Sequence, residues 1–213
     1  MWTSGQKQRM VAEDFGQGWC AVSVDKTIEK GRKAAGFQTV SSRVAYKNPW
    51  TAVREDVIIH PNGKQGLYGV VERSEFVVIL PLHTDGRVTL IQQFRYPVGE
   101  RMWELPMGCW ETKENVDPCE LALGELREET GLRAGEMIHA GTMYQGAGYS
   151  NQKGQVYLAR NLTRGEADLE ETEQDITTHD LPLAEFEAMI ARGDVKCMVS
   201  VAAYAMIKAR GLL

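Results

Sequence analysis

Glu125, Glu128 and Glu129 crowd three carboxylates into five residues of one predicted helix, and that helix constrains the fold of the whole chain. Asp117-Pro118 reads as its N-cap and first helical residue, and Gly131 is placed to end it in the left-handed conformation. Leu123, Leu126 and Thr130 recur at spacings of three and four and are the predicted buried stripe. Glu125 and Glu129, one turn apart, share a face that Glu128 flanks. Carboxylates this close weaken a helix by a few tenths of a kcal/mol per pair unless a cation lies between them. An all-oxygen cluster of this kind suits Mg²⁺ or Mn²⁺, hard ions that bind phosphate at the same time. A solvated acidic helix face uses the same residues, so the surrounding sequence decides between the two readings.

On both sides of this helix the chain reads as strands. Gln38 to Tyr46 and Thr51 to His60 alternate, with Asn48-Pro49 breaking the pattern. Pro61-Asn62-Gly63-Lys64 is a hairpin turn into Gly66 to Glu72. Phe76 to Leu82 is continuously apolar and predicts a strand buried on both faces, and Asp85-Gly86 turns it into Val88 to Phe94. Beyond the helix, Glu136 to Tyr144 and Gln155 to Arg160 are predicted strands, followed by amphipathic helices over Leu183 to Arg192 and Met198 to Ala209. One further helix is expected near Ser23 to Ala35. The pattern gives an arm over 1–45 and a main α/β domain over 46–213.

A chain of 213 residues can bury a proper core. Its net charge of −5, with scattered Lys and Arg, argues against a nucleic-acid partner. No run of 18 apolar residues and no signal-peptide core is present, so no membrane association is expected. Cys20, Cys109, Cys119 and Cys197 lack CxxC spacing and read as free thiols of a reducing, cytoplasmic compartment.

Upstream of the acidic helix stand Trp103-Glu104-Leu105-Pro106-Met107-Gly108 and then Glu114. Together with Glu125-Leu126-Arg127-Glu128-Glu129-Thr130-Gly131-Leu132 they resemble the Nudix box: Gly, five residues, Glu, seven residues, then Arg-Glu-aliphatic-x-Glu-Glu-x-Gly-aliphatic. Gln92-Gln93-Phe94-Arg95-Tyr96-Pro97 and Leu181-Pro182-Leu183 extend the resemblance to the ADP-ribose and nucleoside-diphosphate-sugar pyrophosphatase branch, over about Tyr46 to Leu213. The resemblance implies a Nudix α/β/α sandwich with a mixed sheet and an N-terminal β-strand arm. It also implies Mg²⁺ or Mn²⁺ held by Glu125, Glu128, Glu129 and the Met107 carbonyl, and a homodimer in which N-terminal strands complete the partner's site. By similarity Trp50 and Arg54 would grip a nucleobase or sugar by stacking and cation–π contact, while Arg95 and Glu104 would line the diphosphate. The plain alternatives are a strand-edge aromatic, a surface arginine and a salt bridge within the sheet.

This chain departs from the family pattern in three places, two of them inside the box. The arginine slot holds Gly124, although in the family that arginine holds the box carboxylates by charge-assisted hydrogen bonds. Nine residues, Asn115 to Leu123, stand where seven are usual. In the loop Gly146-Ala147-Gly148-Tyr149-Ser150-Asn151-Gln152, the branch's acidic slot carries neutral amides. Gln152 can therefore orient a water but not deprotonate it, leaving proton removal to Glu125, to Glu128 or to a carboxylate between Glu166 and Asp175. The leading expectation is metal-dependent hydrolysis of a nucleoside diphosphate linked to a second group. A Nudix-fold nucleotide-binding or regulatory protein with little hydrolysis also fits. So does a scaffold repurposed for other small-molecule chemistry, its pocket reshaped by Cys109, Trp110 and Cys119.

Overall fold

A computed structural model describes residues 26–109, 116–169 and 173–213. Cys20, Trp110, Glu114 and the acidic stretch at 170–172 lie outside the described residues. The chain forms two compact units, one running to Arg73 and taking in Tyr149–Asn151, the other comprising Ser74–Gly148 and Gln152–Leu213.

In the first unit helix α1 (Lys26–Ala34) precedes three antiparallel strands, β1 (Gln38–Lys47), β2 (Ala52–Ile59) and β3 (Gln65–Glu72), in that spatial order. The turn into β2 is built on Asn48, whose Oδ1 accepts from Trp50 N at 2.9 Å and Thr51 N at 2.7 Å. The alternation of β2 runs against the apolar-inside rule. Ala52, Arg54, Asp56 and Ile58 are buried, while Val53, Val57 and Ile59 are only half-buried. The loop residues Tyr149–Asn151 join this unit through Tyr149 O, which accepts from Val71 N at 2.8 Å, and Ser150 Oγ, which donates to Val71 O at 2.8 Å.

The second unit is a layered α/β structure. Strands β4 (Phe76–Pro81), β7 (Met107–Gly108), β8 (Leu132–Tyr144) and β9 (Lys153–Arg164) form a mixed sheet in the order β7-β4-β9-β8, parallel only between β4 and β9. A second sheet runs β10-β5-β6, from β5 (Arg87–Arg95), β6 (Glu100–Glu104) and β10 (Thr177–Pro182). The apolar run of β4 is buried throughout, as its composition predicts. Val77 and Ile79 face one core cluster with Leu121, Ala122 and Leu126 of helix α2 (Pro118–Thr130). Phe76, Val78 and Leu80 face the other, with β5 and helices α3 (Leu183–Arg192) and α4 (Met198–Ala209). Helices therefore cover both faces of the mixed sheet, giving the expected sandwich. Among the described residues no helix is long and apolar enough to cross a membrane.

Three local expectations change. Leu126 and Thr130 are buried as predicted, but Leu123 is 40% exposed, and Leu121 and Ala122 fill the core one turn earlier in its place. Strands β6, β7 and β10 are too short or too polar to show an apolar period, and pairing with β5 and β4 supplies their order. Strand β8 starts at once after Gly131, because the left-handed turn there (φ 71°) sends the chain straight back along the sheet.

Candidate active site

Helix α2 begins and ends as its sequence dictates. Asp117 Oδ1 accepts from Cys119 N at 2.8 Å and Glu120 N at 3.3 Å, Pro118 opens the first turn, and Gly131 N donates to Arg127 O at 2.8 Å. A Cβ at Gly131 would also collide with the Gly165 carbonyl, so the glycine serves both the cap and the chain passing beside it.

The face of this helix that meets β7 is acidic and buried. Glu129 is 2% exposed, and its Oε2 accepts from Met107 N at 2.9 Å. Glu125 is buried beside it, its carboxylate against Gly108, where any Cβ would displace it. The solvated-face reading is thus excluded for these two glutamates. Burial, followed by the charges of Glu125 and Glu173, pushes the Glu129 carboxyl well above the usual glutamate range, against the pull of the Met107 N–H and Arg95. Glu128 is half-buried and turned to Arg127, whose Nη2 donates to its Oε1 at 2.9 Å. Among the described residues no three acidic, His or Cys side chains already converge as a ligand set. The buried pair nonetheless has the donor chemistry of a hard divalent cation, two crowded carboxylates whose mutual repulsion such an ion relieves, and Glu128 is the third oxygen donor one turn from Gly124.

Arg95 and Glu104 form the salt bridge that was the plain alternative to a diphosphate-lining role. Arg95 Nε and Nη2 both donate to Glu104 Oε2, at 2.8 and 2.7 Å, and Glu104 is buried. Asp175 is occupied elsewhere, accepting from Phe94 N at 2.8 Å and Arg101 Nη1 at 3.0 Å. Of the acids between Glu166 and Asp175 in the described residues, Glu173 is the one whose charge bears on Glu129.

Two assignments take a different form. Gln152 is 5% exposed, and its Nε2 donates to Ser74 O at 2.8 Å, so its amide holds a backbone carbonyl. Gln152→Glu replaces that donor by an acceptor facing an acceptor. The variant should lose about 1–3 kcal/mol, read as a fall in melting temperature of about 2–4 °C for each kcal/mol in a chain of this size, with no gain in hydrolysis. A faster variant of unchanged stability would contradict the structural role. Arg54, in the first unit, is not a surface residue. It is buried between Asp56, which accepts from Nε at 2.8 Å, and Glu72, which accepts from Nη1. Asp56 also accepts from Ser42 Oγ at 2.6 Å. Trp50, by contrast, is 55% exposed on its turn. Cys109 and Cys119 pack against different core clusters.

The roles of Gly108 and of the Met107 N–H are invisible to side-chain reasoning, since one acts by lacking a side chain and the other through its backbone. Their signal is the Pro106-Met107-Gly108 sequence itself, a tight strand end with no bulk at its last position.

Comparison with known proteins gives the family to which this fold and helix belong. The model of the nucleoside diphosphate sugar hydrolase N-terminal domain matches residues 37–71, and that of the NUDIX domain matches residues 72–196. An ADP-ribose pyrophosphatase of Mycobacterium tuberculosis is 30% identical over 167 residues, covering 78% of this chain and 80% of the relative. An ADP-ribose pyrophosphatase of Bacillus subtilis is 33% identical over 109 residues, covering 51% of this chain and 57% of the relative. Among solved structures, one described as an ADP compounds hydrolase superposes with a TM-score of 0.71 at 18% identity, covering 83% of this chain and 97% of that one.

Proposed function

The chain belongs to the Nudix family, and from that premise we propose that it hydrolyses a nucleoside diphosphate joined to a second group, of the ADP-ribose or nucleotide-sugar class, with Mg²⁺ or Mn²⁺. The observation that carries this reading is the buried carboxylate pair, Glu125 against Gly108 and Glu129 on the Met107 N–H. A divalent ion bound there supplies charge screening for the diphosphate and Lewis acidity. Glu125, Glu128 and Glu129, with the Met107 carbonyl, are the residues to hold it. By similarity Arg95, held on Glu104, is the candidate to meet the diphosphate, and in the first unit the exposed indole of Trp50 is a candidate to stack on a base. With Gln152 committed to Ser74 O, proton removal falls to Glu125 or Glu128.

Incubation with ADP-ribose, nucleotide sugars, dinucleoside polyphosphates and coenzyme A in the presence of Mg²⁺ or Mn²⁺ should release a phosphate product from at least one of the first two classes. No release from any of them would overturn the assignment. The amide in the loop slot favours a second reading, a nucleotide-binding protein with little turnover. A turnover number in the ordinary range of about 1–10³ s⁻¹ would dismiss it.

A homodimer completes the proposal. Tyr46, Leu67, Tyr68 and Val44 leave apolar surface exposed on the β1–β3 sheet, and uncovered strands of this kind invite pairing. Light scattering at micromolar concentration should give twice the chain mass, and a monomeric mass would reject it. The free thiols of Cys109, Cys119 and Cys197 suit a reducing cytoplasm.

A further inference from the structure

We infer that Gln93, on β5, donates its side-chain amide to the diphosphate of the substrate. This rests on the hydrolase reading above. Gln93 is 7% exposed, as deeply placed as much of the core. Among the described residues its amide nonetheless has no hydrogen-bond partner, and neither of its polar atoms is sealed from solvent. Buried amides are nearly always paired, so one left open in this way has room and need for a ligand. Met102, directly across the β5–β6 pair, offers it nothing.

Sheet register places this amide. Side chains two apart on a strand share a face, as do residues directly opposite in an antiparallel pair. Gln93 therefore lies on the face that carries Ile91, Arg95, Glu104 and Thr178. Thr178, opposite Ile91, brings its Oγ1 to 3.5 Å from the Glu129 carbonyl of α2. Two residues beyond Gln93, Arg95 is fixed on the buried Glu104 at 2.8 and 2.7 Å. Gln93 stands between these rows, about 6.5 Å along the strand from each. Other polar groups of the face are already engaged, Thr89 with Asp180 and Glu100 with Lys196, both at 2.7 Å. A diphosphate reaching from the end of α2 to Arg95 must cross the row of Gln93, where Nε2 has two hydrogens to offer its oxygens. A neutral donor suits that place. Its bond to an oxyanion is charge-assisted, yet it adds no positive charge beside carboxylates that suit a divalent cation.

Nuclear magnetic resonance of the ¹⁵N-labelled chain reads this contact at the amide itself, whose signal is assigned by its absence from Gln93→Met. Titration with methylenediphosphonate, a diphosphate that resists hydrolysis, in the presence of Mg²⁺ should move the Gln93 side-chain signal downfield and saturate. Adenosine should leave it in place. Gln93→Met, of nearly the same length, should weaken methylenediphosphonate binding by about five- to a hundredfold. The same variant should melt at or above the parent, because it removes an amide that no protein group satisfies. A stationary signal, a signal that adenosine also moves, or unaltered methylenediphosphonate binding in Gln93→Met would each overturn the inference. So would a variant that melts several degrees lower or fails to fold, since the amide would then serve the core. A parent that shows the shift but hydrolyses nothing would defeat the proposed function while leaving the Gln93 contact in place.

Discussion

Glu129→Gln should abolish most Mg²⁺-dependent turnover, by about a hundredfold or more, without loosening the metal-free fold. Glutamine is the same size, and its side-chain oxygen can still accept from Met107 N, now at 2.9 Å from Glu129 Oε2. It removes a carboxylate that burial, Glu125 and Glu173 all disfavour. The metal-free variant should therefore melt at or above the parent. In the parent, Mg²⁺ should raise the melting temperature in proportion to mass action, and the rise should shrink in the variant. The pH dependence has a definite sign. With its pKa raised on folding, Glu129 binds in the folded state a proton that the unfolded chain has already lost. The metal-free parent should then lose stability as the pH climbs out of the usual glutamate range and through the folded pKa, and Glu129→Gln should flatten that slope. A fall of several degrees in the metal-free melting temperature would mean that the carboxylate serves the fold rather than the metal.

Arg54→Met should be the most destabilising single change in the first unit, at about 3–5 kcal/mol. The guanidinium binds Asp56 and Glu72 inside the β1–β3 sheet, and without it two buried carboxylates face each other. Burial already pushes the Glu72 carboxyl up, with Arg54 the main influence in the other direction. Arg32, whose Nη1 is 3.6 Å from Asp56 Oδ2 without a hydrogen bond, cannot replace it. Hydrogen exchange of the β2 and β3 amides should accelerate by the corresponding factor of about 10²–10⁴. Replacing Arg54, Asp56 and Glu72 together by apolar residues should be far milder, since well-packed apolar groups match or exceed buried ion pairs. If Arg54→Met instead leaves exchange unchanged and raises only the KM for a nucleotide substrate, the side chain serves recognition, as the sequence alone had suggested.

The helix and its caps were legible in the sequence because Asp117, Pro118 and Gly131 each have a local conformational reason to stand where they do. So was β4, whose apolar run has no other use. The strands that needed partners were not. Glu100–Glu104 and Thr177–Pro182 carry no period, and their order comes from β5, to which one is joined by a tight turn and the other returns from far along the chain. At the candidate site the carboxylates were visible as a motif, but their burial depends on Met107 and Gly108, where backbone rather than side chains makes the contact. The burial of Arg54 was hidden for the opposite reason. A charged residue in an alternating strand reads as outward-facing, and only Asp56 two positions on and Glu72 across the hairpin allow it to turn inward. The amide of Gln152 had looked like a lost base, whereas its contact with Ser74 O gives it an occupation of its own.

The parallel pairing of β4 with β9 has a bearing on how the protein is made. Phe76 pairs with Gly154 and Pro81 with Ala159, and the whole of α2 is threaded between the two strands in sequence. On a ribosome, β4 and the acidic helix emerge well before the strand that binds β4 along its length. Closing so long a loop is entropically slow, so the nascent chain carries its repelling glutamates for some time with no core to bury them. Their repulsion discourages early collapse around the helix, so on the metal-dependent reading proposed above the ion should bind the finished sheet more tightly than a chain truncated before β9, which metal titration of the two would check.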